Sequence, residues 1–246
     1  MREICHRELA CLVGRFGACP LDQDNLAILI SSSVEPDQDK ISLKKLYDHT
    51  INARRLTLRN IKIAIVNRRE CNPLWIKYLG WAFHFITDWG TPYHSPISIS
   101  NPVIWKTLLN TTIGIISEYV NTMGNDRKKR ILGIAKKALE IGLPTLGTEL
   151  KNLIINHGEF EDFCDNQWIE YKSLIHNKFM LRKVRYRPSM QLGQTFEELN
   201  SLMNNLRQYC NNMPSDWTKN CDGSKFADYM VKIANVLDFA CQIVMM

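Results

Sequence analysis

The sequence predicts an all-helical protein, and three observations lead there. Twelve glycines and nine prolines in 246 residues are sparse, and they fall between apolar runs rather than inside them. The apolar positions recur three and four apart, as in Leu9, Leu12, Val13 and Phe16, and again in Phe226, Met230, Ile233, Leu237, Ala240 and Val244. A composition 45% hydrophobic and 23% charged gives enough apolar material for a substantial core, in one large domain or two small ones.

Taken in order, His6 to Phe16 has one apolar face, and Gly17, Pro20 and Asp22 turn the chain. Asn25 to Ser33 is a second short apolar element, and Asp37 falls in the acid-rich loop Glu35-Pro-Asp37-Gln-Asp39 that closes it. Lys40 to Val66 reads as a long amphipathic segment with His49 inside it and Arg54, Arg55 and Arg59 facing outward. Leu74 to Asp88 is the central helix, with Trp75, Tyr78, Leu79, Ala82, Phe83 and Ile86 toward the core; Gly90 and Pro92 end it. Two further helices fit Pro102–Thr122 and Arg127–Ile141. An aromatic, acidic helix follows Glu161 to about Phe179, then a basic stretch from Lys178 to Arg187, which reads as solvated surface. The last helices are expected near Thr195–Asn212 and Lys225–Met246, separated by Asn211-Asn-Met-Pro-Ser-Asp-Trp-Thr. No internal repeat or low-complexity segment appears.

A formal charge of +6 and a pI near 8.9 give mild attraction to anions such as phosphate esters, nucleic acid or acidic lipid. Eight cysteines without C-x-x-C spacing read mostly as small buried hydrophobes in a reducing compartment, with Cys210 and Cys221 the pair that could bridge in an exported protein. No run reaches the length of a membrane span, and Met1-Arg-Glu-Ile-Cys-His has no apolar leader core, which predicts a cytoplasmic protein.

The chemistry concentrates in Leu79-Gly-Trp-Ala-Phe-His84-Phe-Ile-Thr-Asp88-Trp-Gly-Thr-Pro-Tyr-His94. His84 and Asp88 are four apart, so a helix places imidazole and carboxylate on one face. A lone pair of this kind is usually a solvated hydrogen bond. The other histidines change the odds: His94 lies in the loop just beyond, His157 and Glu161 repeat the spacing, and His49 and His6 lie upstream. Histidine nitrogen with carboxylate oxygen suits zinc.

His84-x3-Asp88-x5-His94 followed by His157-x3-Glu161 resembles the core signature of the bacterial zinc-dependent phospholipases C and the fungal single-strand-specific nucleases, a superfamily of all-helical phosphodiesterases. The resemblance covers residues 1 to about 165. It implies one all-α, multi-helix domain over 1–246 and up to three zinc ions. By this resemblance Asp37, His49, His84 and Asp88 hold one zinc, with Glu35 and Asp39 competing for the place of Asp37. Asp88 bridges to a second zinc held by His6 and the amine of Met1, with Cys5 as the rival to that amine. His94, His157 and Glu161 hold the third. The implied reaction is phosphate-ester hydrolysis by a zinc-bridging water, with Asp37 orienting or deprotonating it.

The chain departs from the family between His94 and His157, where a helical insertion of about 102–150 replaces a short loop. It reads either as extra core or as a lid beside the site. Three functions are consistent with these residues. A phospholipase C-like lipid hydrolase, with transient membrane-surface contact, stands first because Glu161 is glutamate and the insert is apolar. A single-strand nuclease or nucleotidase would add an aromatic stacking pocket beside the metals. A non-catalytic descendant would keep zinc without hydrolysis.

Overall fold

A computed structural model describes residues 3–38, 49, 52–92, 144–182, 191–214 and 216–246, with 144–158 described in backbone only. Among them run nine helices and no strand: α1 (Glu3–Phe16), α2 (Gln23–Ser32), α3 (Glu35–Gln38), α4 (Ala53–Arg69), α5 (Trp75–Trp89), α6 (Pro144–Arg182), α7 (Leu192–Asn211), α8 (Trp217–Asn220) and α9 (Gly223–Met245).

The architecture is organised around α9. Its sequence is apolar nearly all round, which suits a helix with neighbours on every side, and α1, α4, α5, α6 and α7 all pack against it. Phe226, Tyr229, Met230, Ile233, Leu237 and Phe239 have no solvent exposure. Asp222 starts the helix by accepting the Lys225 N–H at 2.8 Å. Buried Asp238 accepts from the Ala18 backbone N–H at 2.7 Å and from Gln242 Nε2 at 3.1 Å, tying the turn after α1 to the core. A Cβ on Gly17 would lie 2.3 Å from Asp238 Oδ1, so that turn accepts no side chain.

α4 and α5 form a hairpin that lays α5 between α4, α2 and α9. The turn is a Schellman closure: Asn72 N–H donates to Asn67 O at 2.8 Å and Cys71 N–H to Arg68 O at 3.1 Å. Cys71 takes the left-handed position, at φ 55°, where glycine is usual. The other face of α5 meets α2 at Gly80, whose missing side chain permits backbone contact there.

Several expectations change. Asp37 lies in the short helix α3, not in a loop; Pro36 sits in its first turn, where a missing N–H costs nothing. Of the amphipathic segment expected over Lys40–Val66, the described part runs as α4 from Ala53, after a bend at Asn52, and continues past Val66 to Arg69; His49 is itself helical, and 40–48, 50 and 51 lie outside the described residues. Trp75 and Tyr78 are half-buried at the core margin, and Ile76 fills the interior instead. The helix carrying Glu161 starts far upstream, since no proline falls between Pro144 and Arg182, and it kinks at Tyr171 (φ −109°, ψ 16°). Arg54 is drawn inward by an Nε hydrogen bond to Asn200 Oδ1 at 2.9 Å. The eight cysteines are free thiols, Cys210 and Cys221 among them. The proposed helices 102–122 and 127–141 lie outside the described residues, as does most of the basic stretch beyond Arg182. No described helix is long and apolar enough to cross a membrane.

Candidate metal centre

Five of the nine residues selected from sequence converge. His84 and Asp88 project from one face of α5, as their spacing requires, with Nε2 to Oδ2 at 3.1 Å. His49 brings Nδ1 to 2.5 Å from Asp88 Oδ2 and to 3.0 Å from His84 Nε2. His6, from α1, stacks on the His84 ring with centroids 4.4 Å apart and faces Asp88 Oδ1 through Nε2 at 3.4 Å. Asp37, from α3, completes the ring, its Oδ1 at 3.9 Å from His49 Nδ1 and 4.0 Å from His84 Nε2. The two oxygens of Asp88 thus face opposite ways, one toward His49 and His84 and the other toward His6.

The neighbours orient these groups. Ser33, at the end of α2, accepts from His84 Nδ1–H at 2.9 Å, which leaves the Nε2 lone pair directed into the cluster. The Gly80 contact, one turn before His84, holds that carbonyl in place. At the other end of α5, Gly90 O accepts from Tyr229 Oη at 2.7 Å and from Cys210 Sγ at 2.9 Å. Thr91 O accepts from Arg207 Nη1 at 3.1 Å, and the same guanidinium stacks 4.3 Å over Trp89. Buried donors therefore fix the helix end that begins just after Asp88.

Burial and charge set the protonation of the cluster. His6, His84 and Asp88 are at most 1% exposed. Burial depresses His6 to about 4, and the charge of His84 works in the same direction. For His84 burial again acts downward, but the carboxylates of Asp88 and Asp37 outweigh it and raise the imidazole above its usual 6.5. Burial would push the Asp37 carboxyl up; the charges of His84, His49 and His6 instead bring it to about 2.

A cation suits this donor set. Among the described residues neither buried ring nitrogen of His6 has a hydrogen-bond partner, and Nε2 meets Asp88 Oδ1 only at 3.4 Å. Two imidazole nitrogens 3.0 Å apart cannot both present lone pairs without a proton or a cation between them. Two overlapping triads, His6–Asp37–His84 and His49–His84–Asp88, each keep their ligand atoms within 4.8 Å of one another. Ligands around tetrahedral zinc lie roughly 3.3 Å apart, and the measured separations bracket that value.

The rivals also sort out. Glu35 is engaged by Lys77 Nζ at 2.9 Å and Trp81 Nε1 at 2.6 Å, away from the histidines. The Cys5 thiol is buried and pushed well above its usual range, by burial first and then by Cys164 and Asp165. Met1, Asp39 and His94 lie outside the described residues, as does the side chain of His157. Glu161 is buried on α6 and belongs to neither triad of converging atoms among the described residues. Sequence reading missed Ser33, because a backbone acceptor leaves no side-chain signature. It also missed Arg207, one polar residue among several on α7.

No family model, curated protein or solved structure matches this chain.

Proposed function

We propose that this chain is a zinc-dependent hydrolase of phosphate esters, of the phospholipase C and single-strand nuclease type. The observation that carries the reading is the convergence of His6, Asp37, His49, His84 and Asp88, with the Nε2 of His84 directed inward and His6 buried with its Nε2 turned to the Asp88 carboxylate. Histidine and carboxylate ligands are what zinc takes in hydrolytic sites. Bound there, zinc would supply Lewis acidity toward phosphoryl oxygens and ease ionisation of a water molecule.

The chain's own residues divide the remaining work. Asp88 faces both sides of the cluster and would join them. Asp37 has the most accessible side chain of the five, at 26%, so it faces the approach. From there its carboxylate could orient a water by accepting its hydrogen bond, or deprotonate it. His84 and Asp88, locked from both ends of α5, keep that arrangement without reorganisation.

Phospholipid and nucleotide esters share this chemistry. Glu161 and the apolar insert favour the lipid; the cation-rich helix α4, which begins four residues after His49, favours the nucleotide. Phe85, with its ring 5.3 Å from that of His84, is buried and serves as scaffold rather than as an open stacking platform. Zinc-reconstituted protein should cleave a chromogenic phosphodiester, and parallel assays on phosphatidylcholine and single-stranded DNA assign the class. Stoichiometric zinc with no cleavage of any phosphate ester would leave a metal-holding protein without hydrolysis.

A further inference from the structure

The outer face of α4 has no role in the metal centre or in the core. Ala53–Arg69 carries Arg54, Arg55, Arg59, Lys62, Arg68 and Arg69 and no carboxylate. Its six cations equal the +6 formal excess of the whole chain, so the rest of the sequence is neutral in sum. Three of them make contacts within the chain. Arg54 bonds Asn200, and Arg68 donates to the Val244 and Met245 carbonyls at the end of α9, at 3.2 and 2.9 Å. Lys62, though exposed, holds its Nζ 5.3 Å over the Phe196 ring.

Four of the six, Arg55, Arg59, Lys62 and Arg69, are exposed and spaced four, three and seven apart. That spacing keeps them within one narrow stripe, about 21 Å long at 1.5 Å per residue. Among the described residues none of the four pairs with a carboxylate. The opposite face, with Thr57, Ile61, Ala64 and Ile65, is buried and fixes the stripe outward.

We propose that this stripe binds the phosphodiester backbone of a single-stranded nucleic acid, at a surface separate from the metal centre. A polyanion suits a row of unneutralised cations, because each contact releases condensed counterions. The row is single, which suits one backbone rather than the two of a duplex. At about 3.4 Å per phosphate along a stacked strand, the stripe spans about six phosphates. A membrane surface fits less well, since interfacial helices insert a broad apolar face and Val66 is the exposed apolar residue within this stripe.

The test is fluorescence anisotropy of a labelled oligothymidine, with chelator present so that the metal centre plays no part. Failure here therefore leaves the hydrolase reading untouched. Wild-type affinity should fall with salt at a log–log slope of about −2.8, or about −0.7 for each of four contacts. Joint replacement R55Q/R59Q/K62Q/R69Q should flatten the slope and weaken binding several hundredfold at about 0.1 M salt, with an unchanged circular dichroism spectrum. The single change Arg59→Gln should reduce the slope by about 0.7. Removing four cations elsewhere (Arg7, Arg15, Lys172 and Lys219) should leave the slope unchanged. Equal loss in that control would overturn the proposal, as would an unaltered slope in the stripe variant. Stripe-dependent binding to phosphatidylserine vesicles without oligonucleotide binding would overturn it too.

Discussion

Replacing Gly80 by alanine separates two effects of opposite sign. In an isolated helix the change should stabilise by up to about 1 kcal/mol, because alanine is the better helix former. Here the new Cβ would lie 2.6 Å from Ser32 Cβ, 3.0 Å from Leu29 O and 3.1 Å from Ser32 C, and two of these three are backbone atoms that cannot rotate away. Restoring ordinary contact requires α2 to retreat by roughly 0.8 Å, at an overpacking cost of about 1–3 kcal/mol. That retreat carries the Ser33 carbonyl with it. Its 2.9 Å hydrogen bond from His84 Nδ1 would open to roughly 3.7 Å, beyond bonding range. Loss of such an orienting bond weakens metal affinity about 10- to 100-fold. Denaturant unfolding should therefore show net destabilisation of about 1–3 kcal/mol, and zinc titration by competition with a chromogenic chelator should show the weaker affinity. A variant that is more stable than wild type and binds zinc equally well would refute the role given to this contact.

Three further outcomes are expected. Cys71→Gly should stabilise by about 1 kcal/mol, because it relieves the left-handed strain of a side chain at φ 55°, read as a shift in denaturation midpoint at unchanged slope. Tyr229→Phe should cost about 1 kcal/mol in thermal unfolding, since Gly90 O keeps its Cys210 partner but loses the hydroxyl. The pH response should differ with and without metal. His84 is raised in the folded chain, so its contribution to metal-free stability is present below the unfolded value of about 6.5 and lost as pH rises through the folded value. His6, held near 4, is neutral in both states through most of that window. Zinc displaces the His84 proton, so the Tm difference between zinc-loaded and chelated protein should widen as pH rises from about 6.5 through the raised folded value of His84; a constant difference would contradict the assignment of that proton.

The helical class and the central site element were legible because periodicity and i, i+4 spacing are local properties. Leu9, Leu12 and Val13 are buried as their spacing implies, and His84 and Asp88 share a face for the same reason. The convergence of His6, Asp37 and His49 on that face is tertiary, and in the sequence only the order of the histidines and carboxylates, read as a resemblance, points to it. Three features had no local signal. Gly80 gives close helix approach, and nothing in its neighbours distinguishes it from a tolerated helical glycine. The collar of Tyr229, Cys210 and Arg207 acts on backbone carbonyls from residues more than 110 positions away. The central place of α9 follows from burial on every face, and a one-sided stripe reading underestimates it. Hydrophobicity places Trp75 and Tyr78 in the core, but large amphipathic rings at a helix start can remain at its margin.

The central claim is that His6, Asp37, His49, His84 and Asp88 form a metal centre, and elemental analysis tests it most directly. Protein stripped with chelator, reloaded with excess zinc and desalted should retain at least one zinc per chain. Asp88→Ala removes the carboxylate that faces all three histidines, so that variant should lose most of the retained metal while keeping its helical spectrum. Retention of no metal by the wild type, or equal retention by the folded Asp88→Ala variant, would contradict the account.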